Sequence, residues 1–410
     1  MNQVNGRFAA AAAAMPSPER TSVTGRVAGG AVIAALFMGS TLLTPLYDLY
    51  RSTYGFSALV LVLLYAVYVV GNLGALLLFG RLSDQIGRKP VVFAGLALAA
   101  ASTSLFLAAH APALLFVGRA LSGFAVGIGA GAATAWITEF TPAAQRPRAA
   151  SLMTAFNFVG LALGPLLAAP LVEYGPWPFR LAFIAYLAVL VGVAALVATT
   201  GETVAQKAAV SLKPRLGVPP GARLAFIAPA ATGFAAMALV GFFAALGPTT
   251  IRNDLHIANR ALSGVLVAEL FVVAAGVIVA TRSMGARRAM LTGLVATPVG
   301  LAALILAQRL GSLPILLAGN AICGLAAALG YRGGLAVTSA LAPPDRRAEL
   351  VSAYFVCCFL GNAVPVIGAG ALSQATDAKF ADLVFAGVVS AIAVCALAAS
   401  LVFGRTAKAA

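Results

Sequence analysis

This sequence is short of charge. Asp, Glu, Lys and Arg make up 10% of its 410 residues, where a soluble domain carries about a quarter. That deficit excludes a water-facing surface over most of the chain. There are two histidines, and the four cysteines, Cys323, Cys357, Cys358 and Cys395, all fall inside apolar stretches. None of them has metal-ligand spacing and none can staple an external loop, so they read as small packing residues. The polar segments hold no phosphate-cradling glycine loop, and no nucleophile–base grouping stands out. An enzyme is therefore not expected, nor is a cofactor or a metal.

In place of charge the chain has long apolar runs, and 61% of its residues are hydrophobic. Runs of about 18 residues or more recur, each able to cross a hydrocarbon layer about 30 Å thick. Twelve are predicted: 26–49, 57–80, 91–108, 112–138, 149–171, 179–199, 224–247, 261–281, 289–308, 313–338, 350–373 and 383–403. They are apolar on every face rather than alternating, which predicts helices and not a barrel. The expected class is an all-α polytopic membrane protein lying in a lipid bilayer.

The formal charge of +15 could suggest a nucleic-acid partner. Its distribution argues against one. With both termini cytoplasmic, the inner segments hold 19 of the 27 Lys and Arg and the outer loops 6, while Arg119 and Arg332 lie inside spans. That is the positive-inside bias, a topology signal.

The chain also repeats itself. Shifted by 201 positions, residues 114–172 fall on 315–373, pairing Gly118 with Gly319, Gly123 with Gly324, Pro142 with Pro343 and Arg146 with Arg347. Spans four and five thus recur as spans ten and eleven, and an even number of spans per half makes the copies parallel. The expected units are a disordered cytoplasmic tail at 1–25, a six-helix half at 26–200, a cytoplasmic linker at 201–223, a second six-helix half at 224–403 and a tail at 404–410.

One polar turn concentrates charge: GRLSDQIGRKP, residues 80–90, between spans two and three. Gly80 and Gly87 permit a tight turn, and Asp84 can pair with Arg88. Gly80, Leu82, Asp84, Gly87, Arg88 and Lys89 match the signature Gly-x-Leu-x-Asp-x-x-Gly-Arg-Lys, and over its length the chain resembles the major facilitator superfamily. The resemblance implies two pseudo-symmetric six-helix halves that rock about a central site. It also implies that Asp84 faces the start of span eleven, around Glu349–Ser352, and latches the halves on the cytoplasmic side. Glu139, at the inner end of span four, is expected among these gate charges.

Two further stretches resemble the twelve-helix drug–proton antiporters of that superfamily. Gly118-Arg119-Ala-Leu-Ser-Gly123 is similar to their arginine motif, and Gly160, Gly164 and Pro165 to their Gly-x-x-x-Gly-Pro motif, with Ala168 and Ala169 where two glycines often stand. Small residues there could equally be plain helix packing. In the second copy Gly285, Arg287 and Arg288 survive, without an acid in the place of Asp84.

Ionisable groups inside spans are costly and are functional candidates by default. By helix rise Asp48 and Arg119 lie at similar depth; they could pair as a proton-coupling element, or Asp48 could simply be the outer end of span one. Glu269 and Arg332 are likewise expected at comparable depth, lining the cavity as a proton site with its counter-ion, as substrate contacts, or forming a structural ion pair.

The expected function is alternating-access secondary transport: proton-coupled efflux of small lipophilic compounds by a monomer in a bacterial inner membrane. Its partners would be a small-molecule substrate and protons, with no nucleic acid. The alternatives are a proton-coupled carrier of a specific metabolite, such as an anion, and a non-transporting membrane sensor on the same scaffold.

Overall fold

A backbone inside hydrocarbon must satisfy its own hydrogen bonds, and this chain does so with helices. The computed structural model describes residues 22–204, 209, 216–248, 252 and 259–406, and among them there is no strand. Among the described residues twelve helices are long and apolar enough to cross a membrane. In the first half they are α1 (Val23–Thr41), α2 (Ala58–Phe79), α3 (Arg88–Leu107), α4 (Pro112–Glu139), α5 (Arg146–Tyr174) and α6 (Leu181–Ala198). In the second they are α7 (Arg223–Ala245), α8 (Arg260–Ala280), α9 (Ala286–Leu310), α10 (Leu313–Leu341), α11 (Arg347–Ala375) and α12 (Ala378–Thr406). The chain is a multi-pass membrane protein.

Local chemistry sets the ends. Ser22, Ser57 and Asn259 cap α1, α2 and α8, each accepting a backbone N–H three residues on. Gly311 ends α9 in the left-handed conformation. Several helices run past the predicted apolar windows, because their charged first and last turns lie where polar groups are tolerated. Span one instead stops early. A turn at Thr44–Leu46 holds Pro45, and a separate short helix, Tyr47–Tyr54, follows. Asp48 therefore belongs to that short helix and not to the span; its side chain lies outside the described residues. So does most of the predicted tail at 1–25 and part of the predicted linker.

The two halves meet along two seams, α5 against α8 and α2 against α11. Under the repeat these seams exchange, since α5 corresponds to α11 and α2 to α8. Small residues let the backbones approach. A Cβ on Gly160 would strike the Ala34 carbonyl and Phe37 of α1, and one on Gly164 would strike Thr41 and Met38 of α1. Farther along α5, fully buried Ala169 packs on Gly264 of α8. Pro165 sits inside α5 between these contacts.

Candidate functional site

Between the halves lies a cavity of about 320 Å³. It is bounded at Leu76 near the end of α2 and at Ala150 near the start of α5, so it sits toward the end of the bundle that carries residues 80–90, here termed the basic end. Phe37, Tyr331, Phe355 and Phe359 give it an aromatic wall, and Asn72 and Asn157 place amides in it; among the described residues no Asp, Glu, Lys or Arg lines it. A smaller cavity of about 70 Å³ adjoins it and reaches Tyr65, Tyr68 and Asn362.

Beyond that point the halves close. Tyr65 donates from its hydroxyl to Asn362 Oδ1 at 2.9 Å, and Thr44 Oγ1 donates to the Ala244 carbonyl at 3.0 Å. At the far end of the seam Arg260 Nη1 donates to Glu173 Oε2 at 3.3 Å, and Asn259 Nδ2 donates to the Tyr174 hydroxyl at 2.9 Å. Each of these contacts joins one half to the other.

Arg119 lies behind the wall of the smaller cavity. It is fully buried, donating from Nη1 to the Ser40 carbonyl at 2.7 Å and from Nη2 to the Tyr47 hydroxyl at 2.5 Å. The rings of Tyr47, Tyr65 and Tyr68 stand 5.9, 5.7 and 5.3 Å from its guanidinium carbon. Aromatic faces and neutral acceptors thus hold this cation; no described carboxylate pairs with it.

The basic-end turn is a dense polar cluster. Arg88, largely buried, reaches Asp84 Oδ1 at 2.5 Å, Ser83 Oγ at 2.7 Å and Glu139 Oε1 at 2.7 Å. Lys89 Nζ donates to the carbonyls of Ala198 and Thr200, at the end of α6, at 2.9 and 2.8 Å. Glu202, which the sequence did not single out, completes the cluster. Its carboxylate accepts the backbone N–H groups of Arg88 and Lys89, at 3.0 and 2.9 Å, so it caps the start of α3. It also accepts from Thr203 N and Val204 N, while the Thr203 hydroxyl donates to Glu139. Burial pushes the Glu202 carboxyl up, but the N–H groups of Val204, Arg88, Lys89 and Thr203 outweigh it, leaving its pKa below the ordinary value. Gly87 is required here: its φ is +115°, and a Cβ would lie 2.6 Å from Glu202 Oε2. Gly80 ends α2.

Three expectations need correction or restatement. Asp84 is paired with Arg88 in its own turn, and at the start of α11 Glu349 is paired instead with Arg346 at 2.6 Å. The latch between halves is not formed in this structure. Arg119 stands among tyrosines, and its expected pairing with Asp48 rests on a side chain outside the described residues. Glu269 and Arg332, expected together, are apart. Glu269 accepts from Asn320 Nδ2 at 2.9 Å, whereas Arg332 Nη1 donates to the Thr281 carbonyl at 2.9 Å. Since α8 and α10 run side by side, the 12 residues between Asn320 and Arg332 separate the two sites by about 18 Å. The depth estimate assumed that both spans end at one level. In fact α10 runs nine residues past Arg332, while α8 has already ended near its partner Thr281. Neither Glu269 nor Arg332 lines the cavities.

Comparison with known proteins places this geometry. The family model described as Major Facilitator Superfamily matches residues 29–280 and 229–410. Among curated proteins, the quinolone resistance protein NorA of Staphylococcus aureus is 27% identical over 133 residues, 32% of this chain and 34% of its own length. The multidrug resistance protein MdtL of Klebsiella pneumoniae (strain 342) is 28% identical over 128 residues, 31% of this chain and 33% of its own. The chain thus matches about a third of the length of these relatives. Among solved structures, a bacterial homologue of the human lysosomal transporter Spinster, titled inward-facing and occupied, aligns with a TM-score of 0.70 at 16% identity, over 96% of this chain and 98% of that one. The nucleoside transporter NupG aligns with a TM-score of 0.67 at 16% identity, over 92% and 99%. The human organic anion transporter MFSD10 does so at 0.65 and 17%, over 94% and 100%. At such identities these structures speak for the fold alone.

Proposed function

This chain belongs to the Major Facilitator Superfamily, and from that premise we propose that it exports small lipophilic compounds in exchange for protons. Members of this superfamily are transporters of small molecules and not enzymes. The observation that carries the finer reading is the cavity between the halves: aromatic walls, two amides and, among the described residues, no charged lining residue. Moving a charged or sugar-like cargo into such a space forfeits hydration without replacing it. A lipophilic cargo loses little. The short matched stretches in the two drug-resistance proteins point the same way.

The working cycle follows from the two seams. The protein is a monomer in a bacterial inner membrane with both termini cytoplasmic, so the basic end faces the cell interior. The structure is then the inward-facing state: cavity toward the basic end, halves joined beyond it by Tyr65–Asn362 and Glu173–Arg260. Outward opening breaks those contacts, and the 80–90 turn closes on the start of α11 with Asp84 as its latch. The units that move are the halves 26–200 and 224–403, joined through 201–223.

The test is transport by the purified full chain in liposomes under an imposed pH gradient. A panel of uncharged lipophilic compounds should be driven against their own gradients, with proton flux appearing only when one of them is present. Proton flux that ignores every compound, or transport that ignores the pH gradient, overturns the reading. Asp48→Asn and Glu269→Gln, made separately, then identify the coupling carboxylate as the one whose loss removes gradient-driven transport and leaves downhill transport intact.

A further inference from the structure

Glu269 faces neither cavity. On α8 it belongs to the stripe Leu262, Val265, Glu269, Val272, Gly276 and Val279, spaced by three and four residues and therefore on one side of the helix. The other five positions of that stripe are exposed, Val272 to 52%. They point away from α5 and α10, the neighbours against which α8 packs, and so toward lipid. Glu269 itself is half-buried, at the edge where α10 brings Asn320 alongside.

The repeat shows how unusual this carboxylate is. Gly123 packs on the Tyr68 carbonyl of α2, and Gly324 packs in the same way on the Leu270 carbonyl of α8. The position equivalent to Glu269 in the first half is therefore Val67. One copy presents a side chain suited to hydrocarbon and the other a carboxylate, which is expensive at that depth.

Its surroundings are built for a donor. Asn320 is 2% exposed and spends its Nδ2 on the Leu266 carbonyl, at 2.6 Å, and on Glu269. Its Oδ1, on the same amide, is buried with no hydrogen-bond partner. Among the described residues no basic group pairs with Glu269. The carboxylate thus has a single neutral amide donor and no described cation, and the carbonyl oxygen of that same amide has no donor at all; acceptors so poorly matched are costly in an apolar setting.

We propose that Glu269 and Asn320 form a binding site, entered from the bilayer, for the ammonium head of a lipophilic amine. The N–H groups of the ammonium donate to the Glu269 carboxylate and to Asn320 Oδ1, while the alkyl or aryl body lies along the stripe of valines. Depth excludes a lipid headgroup as the occupant. Glu269 is nine residues from Arg260 and eleven from Ala280, about 14 and 17 Å from the two ends of the helix. The site is separate from the central cavity and its occupancy needs no transport, so it can be tested whether or not the export reading holds.

The experiment is equilibrium binding to the full chain in nanodiscs, corrected with empty nanodiscs, using dodecylamine against dodecanol as probes of one length that differ in the head. A charge-assisted pair of this kind gives about a tenfold preference for the amine. In Glu269→Gln, which keeps the hydrogen bond from Asn320, the preference should fall to about one. Asn320→Ala should reduce it by a smaller factor, and unchanged thermal unfolding of both variants rules out misfolding as the cause. Dodecyltrimethylammonium, a cation without N–H groups, should bind less well than dodecylamine. An equal preference in wild type and Glu269→Gln, or no protein-dependent amine binding at all, overturns the proposal.

Discussion

The two halves descend from one repeated unit, yet their basic-end turns are held by different chemistry. In the first half a network of side chains does it: Arg88 lies among Asp84, Ser83 and Glu139, and Glu202 caps α3 from the linker. In the second half arginines cap helix ends directly. Arg287 donates to the Ser400 carbonyl, near the end of α12, at 3.1 Å, and Arg332 to the Thr281 carbonyl just past α8. Lys89 does the same for α6, so cation-to-carbonyl capping is the shared element, and carboxylates are what the 80–90 turn adds over its counterpart at 281–288. Cations at helix C-termini hold a turn in place; carboxylates add groups that can be broken and remade, which is what a gate needs.

The largest difference should appear between Arg88→Ala and Arg287→Ala. The first removes a largely buried guanidinium together with its charge-assisted hydrogen bonds to Glu139 and Asp84, and should cost about 3 kcal/mol. The second removes one cap from an exposed side chain and should cost under about 1 kcal/mol. Thermal unfolding of the two variants side by side measures it, and similar shifts would show that the halves are fastened alike.

A second pair of variants is sharper, although smaller in effect. Gly87 has φ of +115°, with Glu202 in the way of a Cβ, whereas Gly285 has φ of −60° and open space around it. Gly87→Ala should therefore lose about 2 kcal/mol, and Gly285→Ala should stay within about 0.5 kcal/mol of wild type.

The smallest effect is a pH dependence. The folded state holds the Glu202 carboxyl below its ordinary value, so its contribution is present above the unfolded pKa and disappears as pH falls through the folded one. The stability gap between wild type and Glu202→Gln should be flat near neutrality and shrink below about pH 4. A gap that persists at lower pH would mean that Glu202 acts through shape rather than charge.

The spans, their number and the repeat were legible because hydrocarbon imposes a simple rule on composition. The 80–90 turn was legible because its charges are local. What escaped were relations between distant segments. Glu202 is 114 residues from Arg88 and sits in a polar linker where one more acid carries no signal. Glu173 and Arg260 meet only because α5 and α8 pack together. Span lengths misled in a specific way, since a helix can run well past its neighbour and pull two residues of equal apparent depth apart, as with Glu269 and Arg332.

The contact of Ala169 with Gly264 has a mechanical consequence. On its other side α5 is keyed to α1, where Gly160 and Gly164 admit the neighbouring backbone. Toward α8 the meeting surfaces carry at this point nothing larger than a methyl group. At this point the two faces can slide or roll without any side chain first changing rotamer, so in the proposed cycle α1 and α5 would travel as one body, with the α5–α8 seam as the slip plane. The polar fastenings of that seam lie at its far end, in the pairs Glu173–Arg260 and Tyr174–Asn259, as in a pair of plates pinned at one edge.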